Sequence, residues 1–216
     1  MPKKYMILYE DNYLFVIDKP AGMLVIPTPK GETNTLTDLL NDELASRGLD
    51  RCAHPCHRLD RETSGLIIYA KGKKVQQLMM DEFKNRAVKK VYIAFAHGTV
   101  KKNFDTIEDL IYNKNKGRKE KAITRYKVVG RKKSFTVLEL EPLTGRTNQI
   151  RIHLKGLGHP LVGESVYAFR KDYELKFKRV ALHASYIAFS HPLTRQKLSF
   201  VSNLPEDMQH FLGSSL

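Results

Sequence analysis

Between His57 and Gly65 the chain reads HRLDRETSG, and this stretch holds the residue types best suited to chemistry. One carboxylate, Asp60, lies between Arg58 and Arg61, and a small polar turn, Thr63-Ser64-Gly65, leads directly into the apolar run LIIYA. A carboxylate that stays ionised can act as a nucleophile or a base, and a paired guanidinium favours the ionised form. Charges crowded into a loop that feeds a buried strand are costly unless they act on something. The plain alternative is a solvated turn in which the aspartate pairs with a neighbouring arginine. Glycoside hydrolysis needs two carboxyl groups, one of them protonated. The other acid here, Glu62, is expected to point elsewhere, so the pattern suits a reaction whose leaving group never departs the site.

The elements that must position Asp60 follow from the hydrophobic pattern. YMILY and YLFVID predict strands around the turn Glu10-Asp11-Asn12. Lys19-Pro20-Ala21-Gly22 is a tight turn, and MLVIP reads as a further strand. A helix is predicted over 35–47. Thr35 caps it with Asp38 three positions on, Leu36, Leu39, Leu40 and Leu44 share a face, and Gly48 stops it. The loop 49–64 delivers Asp60, with a strand over 66–70 behind it. A second helix spans roughly 73–86 with Val75, Leu78, Met79 and Phe83 on one face.

In KVYIAFAHG, Val91, Ile93 and Phe95 alternate with Tyr92, Ala94 and Ala96. Tyr92 is therefore half-buried packing or a flat platform beside small alanines. Residues 99–112 carry no clear pattern. NKNKGRKEK, 113–121, has five basic residues, Lys114, Lys116, Arg118, Lys119 and Lys121, and no apolar side chain. It is either a solvated, mobile loop or one that orders against phosphates. AITRYKVV and SFTVLELE are two strands. In TGRTNQIRIHLKGLGHPLVGESVY, Thr147 or Asn148 starts a helix that buries Ile150, Leu154 and Leu157, and Gly158 with Pro160 ends it. Arg151 borders the buried face, either snorkelling over the core or paired with a buried carboxylate. RVALHASYIAF and KLSFVS are strands about the turn HPLTRQ, and 205–212 form a closing helix. His153, His159, His183 and His191 read as packing or hydrogen-bonding residues.

The 216 residues suffice for one sizeable core and are read as one domain, 1–216. Lys plus Arg is 37 and Asp plus Glu is 23, so the formal charge is 37 − 23 = +14. That excess fits a polyanion and fits a small neutral substrate poorly. An anionic membrane would also attract it, but there is no apolar run of about 18 residues and no basic amphipathic helix with a broad apolar face. With no export signal at the N-terminus, the cytoplasm is the expected compartment. Cys52, His54, Cys56 and His57 are crowded too closely to surround a zinc ion, so reduced thiols are expected.

His57, Arg58, Leu59, Asp60, Thr63, Ser64 and Gly65 match HRLDxxTSG, the signature of the RluA-type pseudouridine synthases. The resemblance extends over nearly the whole chain. It takes in the KPAG turn, the K-x-Y-x-A-x-x-x-G element through Lys90, Tyr92, Ala94 and Gly98, and the LHA and HP positions from Leu182 to Pro192. The segment 145–167 is similar to GRTHQIRxH…GHPLxGDxxY, with two departures: Asn148 for His and Glu164 for Asp. Asn keeps a donor and an acceptor, so a retuned contact is expected there.

The resemblance implies an α+β catalytic domain with a mixed, mainly antiparallel sheet, flanking helices and a central cleft. It implies isomerisation of a specific uridine in rRNA or tRNA, or both, with no cofactor and no metal. Asp60 is then the catalytic carboxylate, acting at the sugar or the uracil ring. Arg151 keeps it ionised, and Tyr92 stacks on the uracil. The target leaves its stack at a cost of a few kcal/mol, and Arg58 fills the vacated place. Lys114, Lys116, Arg118, Lys119 and Lys121, with the basic residues of 170–179, meet phosphates. The family's extra N-terminal RNA-binding domain is not expected, and neither is a membrane partner; a monomer is. The competing readings are a non-catalytic RNA-binding or ribosome-assembly factor on the same scaffold, and a DNA or membrane-surface binder driven by charge alone.

Overall fold

Two hydrophobic clusters organise the chain, one in each of two units. The first unit is Met1–Val88 with Tyr186–Ser202, and the second is Lys89–Ser185 with Asn203–Leu216. The computed structural model describes residues 5–29, 31–114, 116–168 and 175–213. Ten strands and four helices lie among these residues, giving the α+β class the sequence implies.

In the first unit, β1 (Met6–Glu10) pairs antiparallel with β2 (Leu14–Lys19), and β2 with β4 (Ser64–Lys71). β4 is buried from end to end, so its apolar run serves both faces. Leu66, Ile68 and Ala70 join Leu14, Val16, Val75 and Met79 in one cluster, which places α2 (Lys73–Lys84) against that face. On the other face the Tyr69 hydroxyl lies 3.0 Å from Thr37 of α1 (Leu36–Ser46). The expected capping box is present: Asp38 N–H donates to Thr35 Oγ1 at 3.3 Å, and Thr35 N–H to Asp38 Oδ2 at 2.9 Å. Gly48 takes a left-handed φ of 69° just past the helix.

Two expectations fail in this unit. MLVIP is not a strand. The carbonyls of Leu24 and Val25 accept the backbone N–H groups of Leu36 and Thr37, so they serve the helix start and not a sheet. The loop 49–64 contains a short strand, β3 (Ala53–Pro55), paired with the far end of β4. Tyr186–Ser190, the end of β9 (Leu182–Ser190), pairs with β10 (Lys197–Val201) as a hairpin.

The second unit carries four antiparallel strands in the order β5-β8-β7-β6: β5 (Lys89–His97), β8 (Phe135–Pro142), β7 (Arg118–Arg131) and β6 (Phe104–Asn113). Phe95, Phe135 and Val137 face α4 (Glu206–Gly213), where Phe211 lies 5.2 Å from the Phe135 ring. Gly163 has φ 82°, and a Cβ there would stand 1.8 Å from the Arg179 carbonyl oxygen.

Residues 99–112, which show no pattern, supply most of β6. Phe104–Asp109 pair with the strand predicted from AITRYKVV, and Leu110–Asn113 with the charged stretch expected to be a loop. Arg118–Lys121 open β7 and pair with Leu110–Asn113, so only a tight turn remains at the tip. The apolar signal of β7 begins only at Ala122, because Arg118–Lys121 at its start are all charged. α3 (Gln149–Gly156) starts after Asn148, which sits at φ 55° and caps with no side-chain bond. Ile150 and Leu154 are buried as expected, but Leu157 is 37% exposed. Arg179 is also corrected. It is buried and its Nε and Nη2 hold Asp207 at 2.7 and 2.9 Å, so it anchors α4 and is not available to phosphate. Arg170 and Lys171 lie outside the described residues.

Candidate active site

The loop that carries Asp60 is fastened from below. Lys19 ends β2 fully buried, and its ammonium donates to the carbonyl oxygens of Pro20, Met23 and Arg61 at 2.9, 2.9 and 3.2 Å. Gly22 N–H also donates to the Arg61 carbonyl at 2.8 Å, with Gly22 at φ 85°. The KPAG turn and the Asp60 loop are thus joined by charge-assisted and backbone hydrogen bonds. Thr63 N–H donates to the Asp60 carbonyl at 3.1 Å and closes the turn. Leu59, Thr63 and Ser64 are buried, while Asp60 is half-buried. The His57 ring sits 4.8 Å from Phe83 and its Nε2 accepts the Ile68 N–H at 3.1 Å, which requires a neutral ring protonated at Nδ1.

Of the two flanking arginines, Arg61 is turned to Glu32 and Arg58 is exposed. The backbone of this loop is therefore set, with Arg58 and Arg61 exposed and Asp60 and Glu62 half-buried. Cys56 is buried, which pushes its thiol up to about 12, and Cys52 is exposed. Among the described residues, no group of three or more His, Cys, Asp or Glu side chains is arranged to hold a metal ion.

In the second unit, Tyr92 lies on β5 opposite Leu140 and is 9% exposed. Arg151 projects from the first turn of α3 and is buried. Its Nε and Nη2 grip both oxygens of Glu164 at 2.7 Å each. Glu164 Oε1 also accepts the N–H groups of Ser165, Val166 and Tyr167 at 3.0, 2.8 and 3.3 Å. Burial alone would raise the Glu164 pKa, but Arg151 and these N–H donors outweigh it and hold the carboxyl below its ordinary range.

Asn148 completes the group. Its Oδ1 lies 3.4 Å from Arg151 Nη1, and its Nδ2 donates to the Tyr167 hydroxyl at 2.8 Å. The Tyr167 ring stands 5.3 Å from the Arg151 guanidinium carbon. Both departures from the family pattern thus touch Arg151, and Asn148 uses the donor and the acceptor expected of it.

The five basic residues of the hairpin are exposed but not equivalent. Lys116 pairs with Glu120 at 2.7 Å, and Lys121 with Glu108 at 2.7 Å. Glu120 is held down to about 2 by Lys116 and Asn113, with Arg146 also beside it. Lys119 is opposite Tyr112, Arg118 is opposite Asn113, and Lys114 lies in the turn.

Sequence reasoning missed two residues here. Lys19 was read as part of a turn; a lysine closing the apolar run LFVID was the available signal. Glu164 was noted as a departure but not as the carboxylate that Arg151 requires.

This is the fold of an enzyme that isomerises uridine in RNA. The family model for RNA pseudouridylate synthases matches residues 13–155, and the chain belongs to that family. It is 35% identical to the uncharacterized RNA pseudouridine synthase YlyB of Bacillus subtilis, over 98% of this chain and 73% of that one. It is 34% identical to the dual-specificity RNA pseudouridine synthase RluA of Vibrio cholerae, over 86% and 77%. With the ribosomal large subunit pseudouridine synthase D of Zymomonas mobilis it shares 32% identity, over 94% and 70%. The solved structure of human RNA pseudouridylate synthase domain containing 4 superposes with a TM-score of 0.80 at 26% identity, over 96% of this chain and 91% of that one. Among the described residues, no helix is long and apolar enough to cross a membrane.

Proposed function

We propose that the chain isomerises one uridine in a structured RNA, a stem-loop of rRNA or tRNA, with Asp60 as the catalytic carboxylate. The observation that carries this is the seat of Asp60. Its loop is fastened through the buried Lys19 ammonium and the Thr63 turn, yet its side chain stays half-buried beside an exposed Arg58. A reacting group held in place before substrate arrives has less to reorganise in the transition state. A relative named for the ribosomal large subunit supports an rRNA target, and one named for dual specificity supports more than one target.

In this reading the two units serve one catalytic domain, which acts as a monomer in the cytoplasm. The N1–C1′ bond breaks, the uracil turns while held, and C5 bonds to C1′. The C5 proton is lost and N1 is protonated, so the product is an isomer and no cofactor is consumed. Asp60 acts at the sugar or the ring, Tyr92 packs on the uracil, and Arg151 keeps the carboxylate ionised. Arg58 takes the place of the extruded nucleotide. Lys114, Lys116, Arg118, Lys119 and Lys121 meet phosphates, in proportion to the charge that Glu108 and Glu120 leave them.

The test is release of tritium from C5-labelled uridine in rRNA and tRNA from cells lacking the protein. One tritium released per pseudouridine formed supports the reading; no release from either RNA overturns it.

A further inference from the structure

The β6–β7 hairpin has two faces, and register assigns each residue to one of them. On one face the rungs are Tyr112 with Lys119, Leu110 with Lys121, Glu108 with Ile123, Thr106 with Arg125 and Phe104 with Lys127. This is the solvent face. Phe104, Leu110 and Tyr112 are 77%, 58% and 57% exposed, and all four cations are exposed as well. Single exposed apolar residues need no explanation. Here each stands directly across from a cation, at the Cβ separation of about 5 Å that cross-strand partners keep. Same-face rungs repeat at about 7 Å. Three of the five rungs therefore set apolar surface beside positive charge, two of them with an aromatic ring, the combination that holds unpaired nucleic acid by stacking and phosphate contact together.

We propose that this face docks an unpaired strand of RNA. Tyr112 stacks on a base, and Lys119, Lys121, Arg125 and Lys127 meet the phosphates. The proposal rests on the RNA reading above and extends it. It moves the contact from the hairpin's tip to its face, and adds Arg125, Lys127 and Tyr112 to the cations read from sequence. β6 is the end strand of the order β5-β8-β7-β6, and an exposed apolar edge also invites another chain. Charge decides between the two occupants. The face carries four cations against one acid, Glu108, so a second copy would bring like charge against like, whereas a polyanion neutralises it.

The experiment measures binding of the full chain to a fluorescein-labelled oligouridylate, and to duplex RNA of the same length, across a salt series. Tyr112→Ala is expected to weaken oligouridylate binding about tenfold, and Tyr112→Phe, which keeps the ring, less than about twofold. The double variant Arg125→Ala/Lys127→Ala should lower the salt slope by about 1.4. The duplex should lose less than the single strand when Tyr112 is removed. Wild-type binding by Tyr112→Ala and an unchanged slope in the double variant would overturn the proposal. So would a wild-type dimer, seen by sedimentation, that Tyr112→Ala dissolves without changing RNA affinity. If the wild type makes pseudouridine while these variants bind normally, the docking face fails alone. If the binding changes appear but no uridine is isomerised, the proposed function fails alone.

Discussion

Two buried cations do comparable jobs by different means. Lys19 fastens the Asp60 loop through backbone carbonyls, whereas Arg151 is gripped by a carboxylate, Glu164, which is itself held by three backbone N–H groups. Carbonyl oxygens do not titrate and a carboxylate does. The first arrangement is therefore indifferent to acid at the acceptor side, and the second is built from groups whose charges depend on one another. The difference suits their places: Lys19 shapes backbone, while Arg151 presents a charge whose orientation is set by a fork of two hydrogen bonds.

The sharpest way to break this comparison is Glu164→Gln. It strands the Arg151 guanidinium in a buried site and should lower the unfolding free energy by about 3 kcal/mol, read from denaturant midpoints at constant m. Turnover should fall with it, and Glu164→Asp, which keeps the charge on a shorter stem, should recover part of both. Loss of stability with turnover intact would make the pair purely structural.

Lys19→Met comes next. It removes donors from three carbonyls and should cost about 2 kcal/mol, with faster amide exchange at Arg61 and Thr63 as the local signature. An unchanged exchange pattern would mean the latch does not hold the loop.

The two sites should also differ in acid. The Glu164 carboxyl has a folded pKa below its ordinary 4.5, so the pair's contribution is fully present above that value. It is lost as pH falls through the lower folded value. The stability gap between wild type and Glu164→Gln should thus be flat near neutrality and shrink below about pH 4.5. The gap between wild type and Lys19→Met should not shrink over the same window. The smallest effect is expected from Asn148→Ala. It loses one good hydrogen bond to Tyr167 and one long one to Arg151, about 1 kcal/mol by thermal unfolding.

Local signals were the legible ones. The Thr35 capping box, the Leu36–Leu44 stripe and the alternation in β5 are written in side chains that act within a few residues of themselves. MLVIP misled because its β-propensity is genuine, while the carbonyls of Leu24 and Val25 are taken by the start of α1 at Leu36 and Thr37. β6 and the first four residues of β7 were missed because apolar residues fall on both faces of β6 and the start of β7 is all charge, so no alternation marks the inward face. Arg151 was found from its motif, but its carboxylate was not. That pairing crosses a separation of 13 residues, and nothing in local pattern selects Glu164 over the other acids.

The central claim is that the carboxylate at position 60 performs the reaction, and Asp60→Asn tests it most directly. The substitution keeps shape and removes charge at a half-buried site. Measured side by side on the same tritium-labelled RNA, the variant should bind within about twofold of wild type while its turnover drops by about a thousandfold or more. Turnover equal to wild type with Asn at position 60 would contradict the account.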